Sequence, residues 1–272
     1  MDGKEFLNRL KKGKRLYGTA ILSPSPLWPL AVKRTGADFV FIDTEHIPFD
    51  RTTLSEMCLV YKGYGLPPLV RIPSPDPNEA YKVLDGGASG VLAPYIESPE
   101  QVRELVGAVK MRPLKGERLN EALQNQDSLE PELKNYLRDR NKDNFLIINV
   151  ESVPALERLE QILAEPGLDG VIIGPHDLSI SLGLPGQYHN PRFEDVVRKI
   201  ISKVREKGLG VGIHFSEGAE LQIKWAKAGA NIIIHSSDIA LFQQRLKADI
   251  TAIRSALGEE DSTIRQEKDI TI

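Results

Sequence analysis

Eight short apolar runs, each bounded by glycine or another turn residue, recur along this 272-residue chain at 18–22, 38–43, 69–72, 90–94, 145–151, 170–174, 210–215 and 231–235. Several are apolar without interruption, as in Val40-Phe41-Ile42 and Leu146-Ile147-Ile148. Such runs suit strands buried on both faces of a parallel sheet, because an antiparallel strand with one wet face would alternate. Most are followed by helical spacing: Val197, Ile200, Ile201 and Val204 stand at i, i+3, i+4 and i+7, and Leu156, Leu159, Ile162 and Leu163 form a similar stripe. Glycines recur just before strands, at Gly36, Gly87, Gly167 and Gly229, where a helix must end in a left-handed residue. Strand and helix alternating eight times predict an α/β chain folded as a single (β/α)8 TIM barrel over 1–257. An open doubly wound sheet is the alternative. No GxGxxG turn follows the first strand, which counts against the dinucleotide-binding form of that alternative.

Two stretches break the rhythm. One helix is predicted at about 99–110, and polar sequence then runs through 112–144 before the fifth strand. A connection that long reads as a functional lid or a disordered loop. The 258–272 tail is charged and poor in apolar residues, so it is expected to fray or to dock on a neighbour. The opening MDGKEFLNRLKKGKRL reads as a short amphipathic helix, and no stretch approaches the roughly 18 apolar residues of a membrane span. A net charge of -3 supplies no basic field for nucleic acid or an anionic membrane. The single cysteine, Cys58, forms no internal disulfide, and a cytoplasmic location is expected.

In a barrel of this kind catalytic groups converge where the strands end. The second run ends in IDTEH (Asp43, Glu45, His46), the third in VRIP (Arg71), the fifth in NVES (Asn149, Glu151) and the sixth in GPHDLS (Gly174, Pro175, His176, Asp177, Ser179). Each has a structural reading. Asp177 would cap the following helix, Arg71 would form a surface ion pair, His46 would bond a loop carbonyl, and Asp43 would orient the histidine. A carboxylate-rich set without cysteine suits Mg²⁺ or Mn²⁺, with Co²⁺ as a substitute, better than a structural zinc. Two protein ligands on a hard ion leave positions open for water and for chelation by a 2-oxo acid. Schiff-base chemistry on a carbonyl substrate needs a lysine pointing into the barrel, and none of the eight runs contains one.

The stretches GADFVFIDTEH (36–46), LVRIP (69–73), LDGGASGVLAPYIES (84–98), the strand bearing Glu151, and PGLDGVIIGPHDLS (166–179) resemble the HpcH/HpaI family of class II pyruvate aldolases. That group includes 4-hydroxy-2-oxoheptanedioate and 2-dehydro-3-deoxyglucarate aldolases. The resemblance implies a metal held by Glu151 and Asp177, and Arg71 on the enolate oxygen. It implies Gly174 and its neighbours Pro175 and His176, with Asn149, around the substrate, and His46 supported by Asp43 as acid and base. It also implies a homo-oligomer, a hexamer built as a trimer of dimers with the last helix exchanged, in which Asp85 serves a neighbouring subunit or else caps the GGASG turn.

Several positions depart from the family pattern. The first strand has GTAIL where a tryptophan is usual, and Pro29 stands where an acidic residue is usual. Asn149 replaces a glutamine, Arg118-Leu119 replaces Arg-Gly, and His176 fills a place where small residues are common. The expected activity is cleavage of a 4-hydroxy-2-oxo acid to pyruvate and an aldehyde through a metal-bound enolate. The rivals are an oxaloacetate decarboxylase or macrophomate-synthase-like enzyme, a CoA-thioester lyase, and a non-catalytic metabolite-binding barrel.

Overall fold

All eight apolar runs form strands, and these pair in chain order into one closed parallel barrel in the computed structural model, which describes residues 1–125, 129–216 and 218–259. The strands are β1 (Leu16–Ile21), β2 (Phe39–Asp43), β3 (Pro68–Arg71), β4 (Gly90–Ala93), β5 (Phe145–Val150), β6 (Gly170–Ile173), β7 (Gly210–Phe215) and β8 (Ile232–Ser237). The ring closes where Leu16 of β1 pairs with Ile232 of β8. Closure rules out the open sheet. The helices are α1 (Gly3–Lys11), α2 (Trp28–Arg34), α3 (Arg51–Gly63), α4 (Pro77–Asp85), α5 (Pro99–Lys110), α6 (Gly116–Gln124), α7 (Pro131–Asn141), α8 (Val153–Glu157), α9 (Leu159–Leu163), α10 (Pro175–Ser181), α11 (Pro191–Glu206), α12 (Ala219–Lys227) and α13 (Asp238–Leu257). Gly36, Gly87, Gly167 and Gly229 all take positive φ, as the sequence predicts for helix ends that turn into strands.

Strand residues alternate between two apolar layers, because successive side chains point to opposite faces. Val40, Ile42, Val70, Val91, Ile148, Val171 and Ile213 pack outward in one core with the helical Val197, Ile200 and Ile201. Phe39, Phe41, Leu69, Leu92, Phe145, Ile147, Ile172 and Ile234 fill the interior of the barrel. Large interior side chains are matched by missing ones: a Cβ on Gly90 would sit 2.0 Å from the Phe145 ring. The amphipathic α1 closes the end where the strands begin. Its Phe6 stacks on Phe145 at 4.2 Å and meets Phe39 edge-on at 5.3 Å.

The 112–144 segment corrects the expectation of a lid or a disordered loop. It contains α6 and α7, which enclose a small apolar cluster of Met111, Ala122, Leu129 and Leu137. Lys110 beside it donates to the Asn144 carbonyl at 2.7 Å and pairs with Asp169 just ahead of β6 at 2.6 Å. Arg112 pairs with Asp85 at the end of α4. The segment is therefore anchored where strands begin, and it cannot cover the rim of its own barrel where they end. The tail expectation falls, from residue 260 on, outside the described residues. Among the described residues, no helix is long and apolar enough to cross a membrane.

Candidate active site

Following the inward-facing residues by twos leads from the core directly into a polar ring. On β2 the series is Phe39, Phe41, Asp43, and on β3 it is Leu69, Arg71. On β5 and just beyond it is Phe145, Ile147, Asn149, Glu151, on β6 and beyond Gly170, Ile172, Gly174, and on β7 Gly210, Gly212, His214. Above the ring is a cavity of about 320 Å³. Phe41, Leu92, Ile172 and Ile234 line its floor, and Arg71, Asn149, Glu151, Gly174 and His214 line it above them. His46, Pro175, His176, Asp177, Tyr188 and Ser216 also line it from the segments beyond the strands.

Arg71 is held rather than free. Its Nε donates to Asp43 Oδ1 at 2.9 Å and its Nη2 to Asp43 Oδ2, while Glu45 Oε2 lies 3.1 Å from Nε. Burial alone would raise the Asp43 carboxyl, but the hydrogen bonds and charge of Arg71 outweigh it and hold Asp43 below the usual carboxylate range. Burial pulls in the opposite sense on Arg71, and Asp43, Glu45 and Glu151 more than restore its charge. The surface ion-pair reading of Arg71 is thus replaced by a buried pair facing the cavity. His46 is not supported through its ring as expected. Asp43 Oδ1 instead accepts from the backbone N–H groups of Glu45 at 3.0 Å and of His46 itself at 3.5 Å, and the carboxylate paired with the His46 ring is Glu45, with Nε2 and Oε2 3.9 Å apart. Burial raises the Glu45 carboxyl despite the pull of Arg71 and His46.

Glu151 is 3% exposed. Its Oε1 accepts from the Tyr95 backbone N–H at 2.8 Å, which reaches it because Tyr95 takes φ 54, a left-handed conformation uncommon outside glycine. Burial pushes the Glu151 carboxyl up to about 7, the Tyr95 bond opposes this, and the charge of Asp177 adds to it. The other oxygen explains Gly174: a Cβ there would fall 2.0 Å from Glu151 Oε2. Asp177 stands in the first turn of α10, whose N-cap is Gly174 with no side-chain cap bond, so the capping role does not apply. Among the described residues neither Glu151 nor Asp177 makes an ion pair with lysine or arginine. Glu151 is buried without an ion-pair partner, which is expensive, and the charge of the half-buried Asp177 acts on it, so this pair fits a divalent cation. No group of three or more His, Cys, Asp or Glu that could hold a metal occurs among the described residues, so two carboxylates would leave the remaining positions to water and substrate.

Of the other expected residues, Pro175 has no N–H and lines the cavity only by shape. His176 lines it as well, whereas Ser179 is turned away, bonding the His176 carbonyl and the Gly186 N–H. Asp85 lies at the opposite end of the barrel, paired with Arg112 rather than with the GGASG turn. Arg118 of α6 is likewise remote, paired with Glu121 and Glu130. No lysine lines the cavity among the described residues. The sequence reading missed His214, although the same alternation by twos on the seventh run points to it.

A model of the HpcH/HpaI aldolase/citrate lyase family matches residues 23–244. The chain belongs to this family. It is 32% identical over 265 residues to the 2-keto-3-deoxy-L-rhamnonate aldolase of Klebsiella pneumoniae, a match covering 97% of this chain and 96% of that protein. It is 29% identical over 250 residues to the hydroxypyruvate/pyruvate aldolase of Roseovarius nubinhibens, covering 92% and 96%. Among solved structures, an HpcH/HpaI aldolase from Desulfitobacterium hafniense superposes with a TM-score of 0.79 at 30% identity, covering 91% of this chain and 95% of that one. Family membership agrees with the resemblance read from the strand-end motifs, and it sets the chain among aldolases and lyases.

Proposed function

We propose that the chain is a divalent-metal-dependent aldolase that cleaves a 4-hydroxy-2-oxo acid to pyruvate and an aldehyde, or runs the reverse addition, through the enolate of the 2-oxo product. The observation that carries this reading is one cavity whose lining holds Arg71, fixed by Asp43, together with Glu151 and Asp177, two carboxylates that make no ion pair with lysine or arginine among the described residues. Glu151 and Asp177 would hold the ion, Mg²⁺ or Mn²⁺ with Co²⁺ as a substitute, and when bound it supplies positive charge beside the 2-oxo group. Arg71, locked by Asp43 and Glu45, donates to the oxygen on which negative charge develops, and such preorganised charge is usually the largest catalytic contribution. Gly174 and the first-turn N–H groups of α10, those of His176 and Asp177, orient the substrate carboxylate. His46 removes the 4-hydroxyl proton as the C3–C4 bond breaks, its electrons passing to the 2-oxo group, and the enolate carbon is then reprotonated. Asn149 and His176 contact the rest of the substrate. Self-association through α13 belongs to the same proposal.

Incubating the protein with Mg²⁺ or Mn²⁺ and pyruvate in D₂O is expected to exchange the methyl protons for deuterium, followed by proton NMR. Glu151→Gln is expected to lose the metal-dependent exchange. No exchange with any of the metals would sink the enolate reading.

A further inference from the structure

The end of the barrel where the strands begin carries a second concavity, of about 780 Å³, opposite the catalytic cavity. It is formed by the turn from α1 into β1, the last turn of α11 and the turn from α12 into β8. Five cations line it, Arg9, Lys12, Lys14, Arg15 and Arg205, against one carboxylate, Glu5. Glu5 and Asp38 answer Arg9, at 2.9 and 3.3 Å. The other four make no ion pair among the described residues. In a chain of net charge -3, this hollow reverses the sign of the local field.

Basic side chains near helix ends often do no more than answer leftover carbonyls. Two of the four do answer one: Arg205 Nη1 donates to the Leu209 carbonyl at 2.9 Å, and Arg15 Nη2 to the Ala226 carbonyl at 3.3 Å. Each bond occupies one of the five donors of a guanidinium, so it fixes the group in place and leaves the rest available. Lys12 and Lys14 make no side-chain hydrogen bond among the described residues. Gly13, at φ 69, brings these groups together. A Cβ on it would stand 3.1 Å from Arg205 Nη2, so the guanidinium rests against the backbone between the two lysines. Like charges gathered in this way repel one another, and an anion shared among them removes that cost.

We infer that this hollow is a second binding site, for a small metabolite carrying two or more phosphoryl groups. Arginine offers phosphate oxygens a fixed fork and lysine a compact point charge, and a single carboxylate carries too little charge to answer four cations. The concave shape suits a small polyanion, whereas the acidic excess of the rest of the chain opposes a nucleic-acid strand or an anionic membrane.

Calorimetry on the full chain without added metal tests the site, with pyrophosphate, inorganic phosphate and sulfate as probes. Physiological ionic strength is used, where exposed charges more than about 8 Å apart are largely screened, so that a charge change reports on its own surroundings. Pyrophosphate is expected to bind about tenfold or more tightly than phosphate or sulfate, because it engages several cations at once. Lys12→Glu with Lys14→Glu is expected to weaken pyrophosphate binding by about tenfold or more. Both lysines are exposed, so this protein keeps its fold, which circular dichroism checks. Arg205→Met is expected to weaken binding as well, and Arg205→Lys, which keeps the charge and loses the fork, to fall between it and the parent. An affinity for pyrophosphate no greater than for sulfate overturns the inference, and so does pyrophosphate binding unchanged by Lys12→Glu with Lys14→Glu.

Discussion

Glu151 is a carboxylate that the fold holds at a cost, and the cost has a sign and a size. Burial raises its pKa from the ordinary 4.5 to about 7. Between those values the folded chain keeps the proton and the unfolded chain has lost it, so folding stability falls as pH rises. The contribution is fully present below pH 4.5 and lost as pH passes about 7. At about 1.4 kcal/mol per pH unit, this amounts to roughly 3 kcal/mol. Glu151→Gln removes the charge but keeps an oxygen for the Tyr95 N–H, which now meets Oε1 at 2.8 Å. In the presence of chelator at pH 8, the variant is therefore expected to be more stable than the parent by up to about 3 kcal/mol, and the gap should shrink toward nothing by pH 4.5. Saturating Mn²⁺ should narrow or reverse the order, because only the parent retains both carboxylates and binding to the native state stabilises it. Urea unfolding followed by circular dichroism at the two pH values, with chelator and with Mn²⁺, measures all four quantities. A variant less stable than the parent at pH 8 in chelator, or a gap independent of pH, refutes the reasoning.

Arg71→Leu leaves Asp43 buried without its partner and is expected to cost about 3–5 kcal/mol in denaturant unfolding, with activity lost as well. A stable, active variant would show that the pair is dispensable. Gly174→Ala forces a methyl group toward Glu151 Oε2, so Mn²⁺ affinity measured by calorimetry is expected to fall by about tenfold or more. Unchanged affinity would separate Glu151 from the metal. Phe242, Leu246, Ile250, Ile253 and Leu257 of α13 are exposed and apolar, a contiguous face of the kind that mediates association. Phe242→Asp with Leu246→Glu is expected to lower the mass seen by sedimentation, and a monomeric parent protein would refute self-association.

The barrel was legible because each strand is a short apolar run and every strand but β5 is preceded by a glycine at positive φ. The helix read at 99–110 stands as α5, Pro99–Lys110. The paired helices α6 and α7 were not legible: only Ala122, Leu137 and Asn141 of their residues are buried, too narrow a stripe to rise above polar sequence. At the site, Arg71, Glu151, Asp177 and His46 were found by strand-end position and do share one cavity. What position alone could not give was pairing. Asp43 is three residues from His46 in sequence, yet the neighbouring strand brings Arg71 opposite it, and the fixed fork of a guanidinium matches a carboxylate better than an imidazole does. His214 was missed because the run containing it is apolar until its penultimate residue.

The cavity floor has a second employment. Phe41, Leu92, Ile172 and Ile234 end the chamber from below and are at the same time the top layer of the barrel's packed interior. Trimming any of them to deepen the chamber opens a void in the core, at roughly 2–5 kcal/mol for a leucine or isoleucine cut to alanine. Longer substrates must therefore be accommodated upward, by the segments carrying His46, His176, Tyr188 and Ser216, whose changes leave that interior layer intact. Changes in what such a chain accepts are therefore channelled into its loops, and the depth of the chamber is set by the core beneath it.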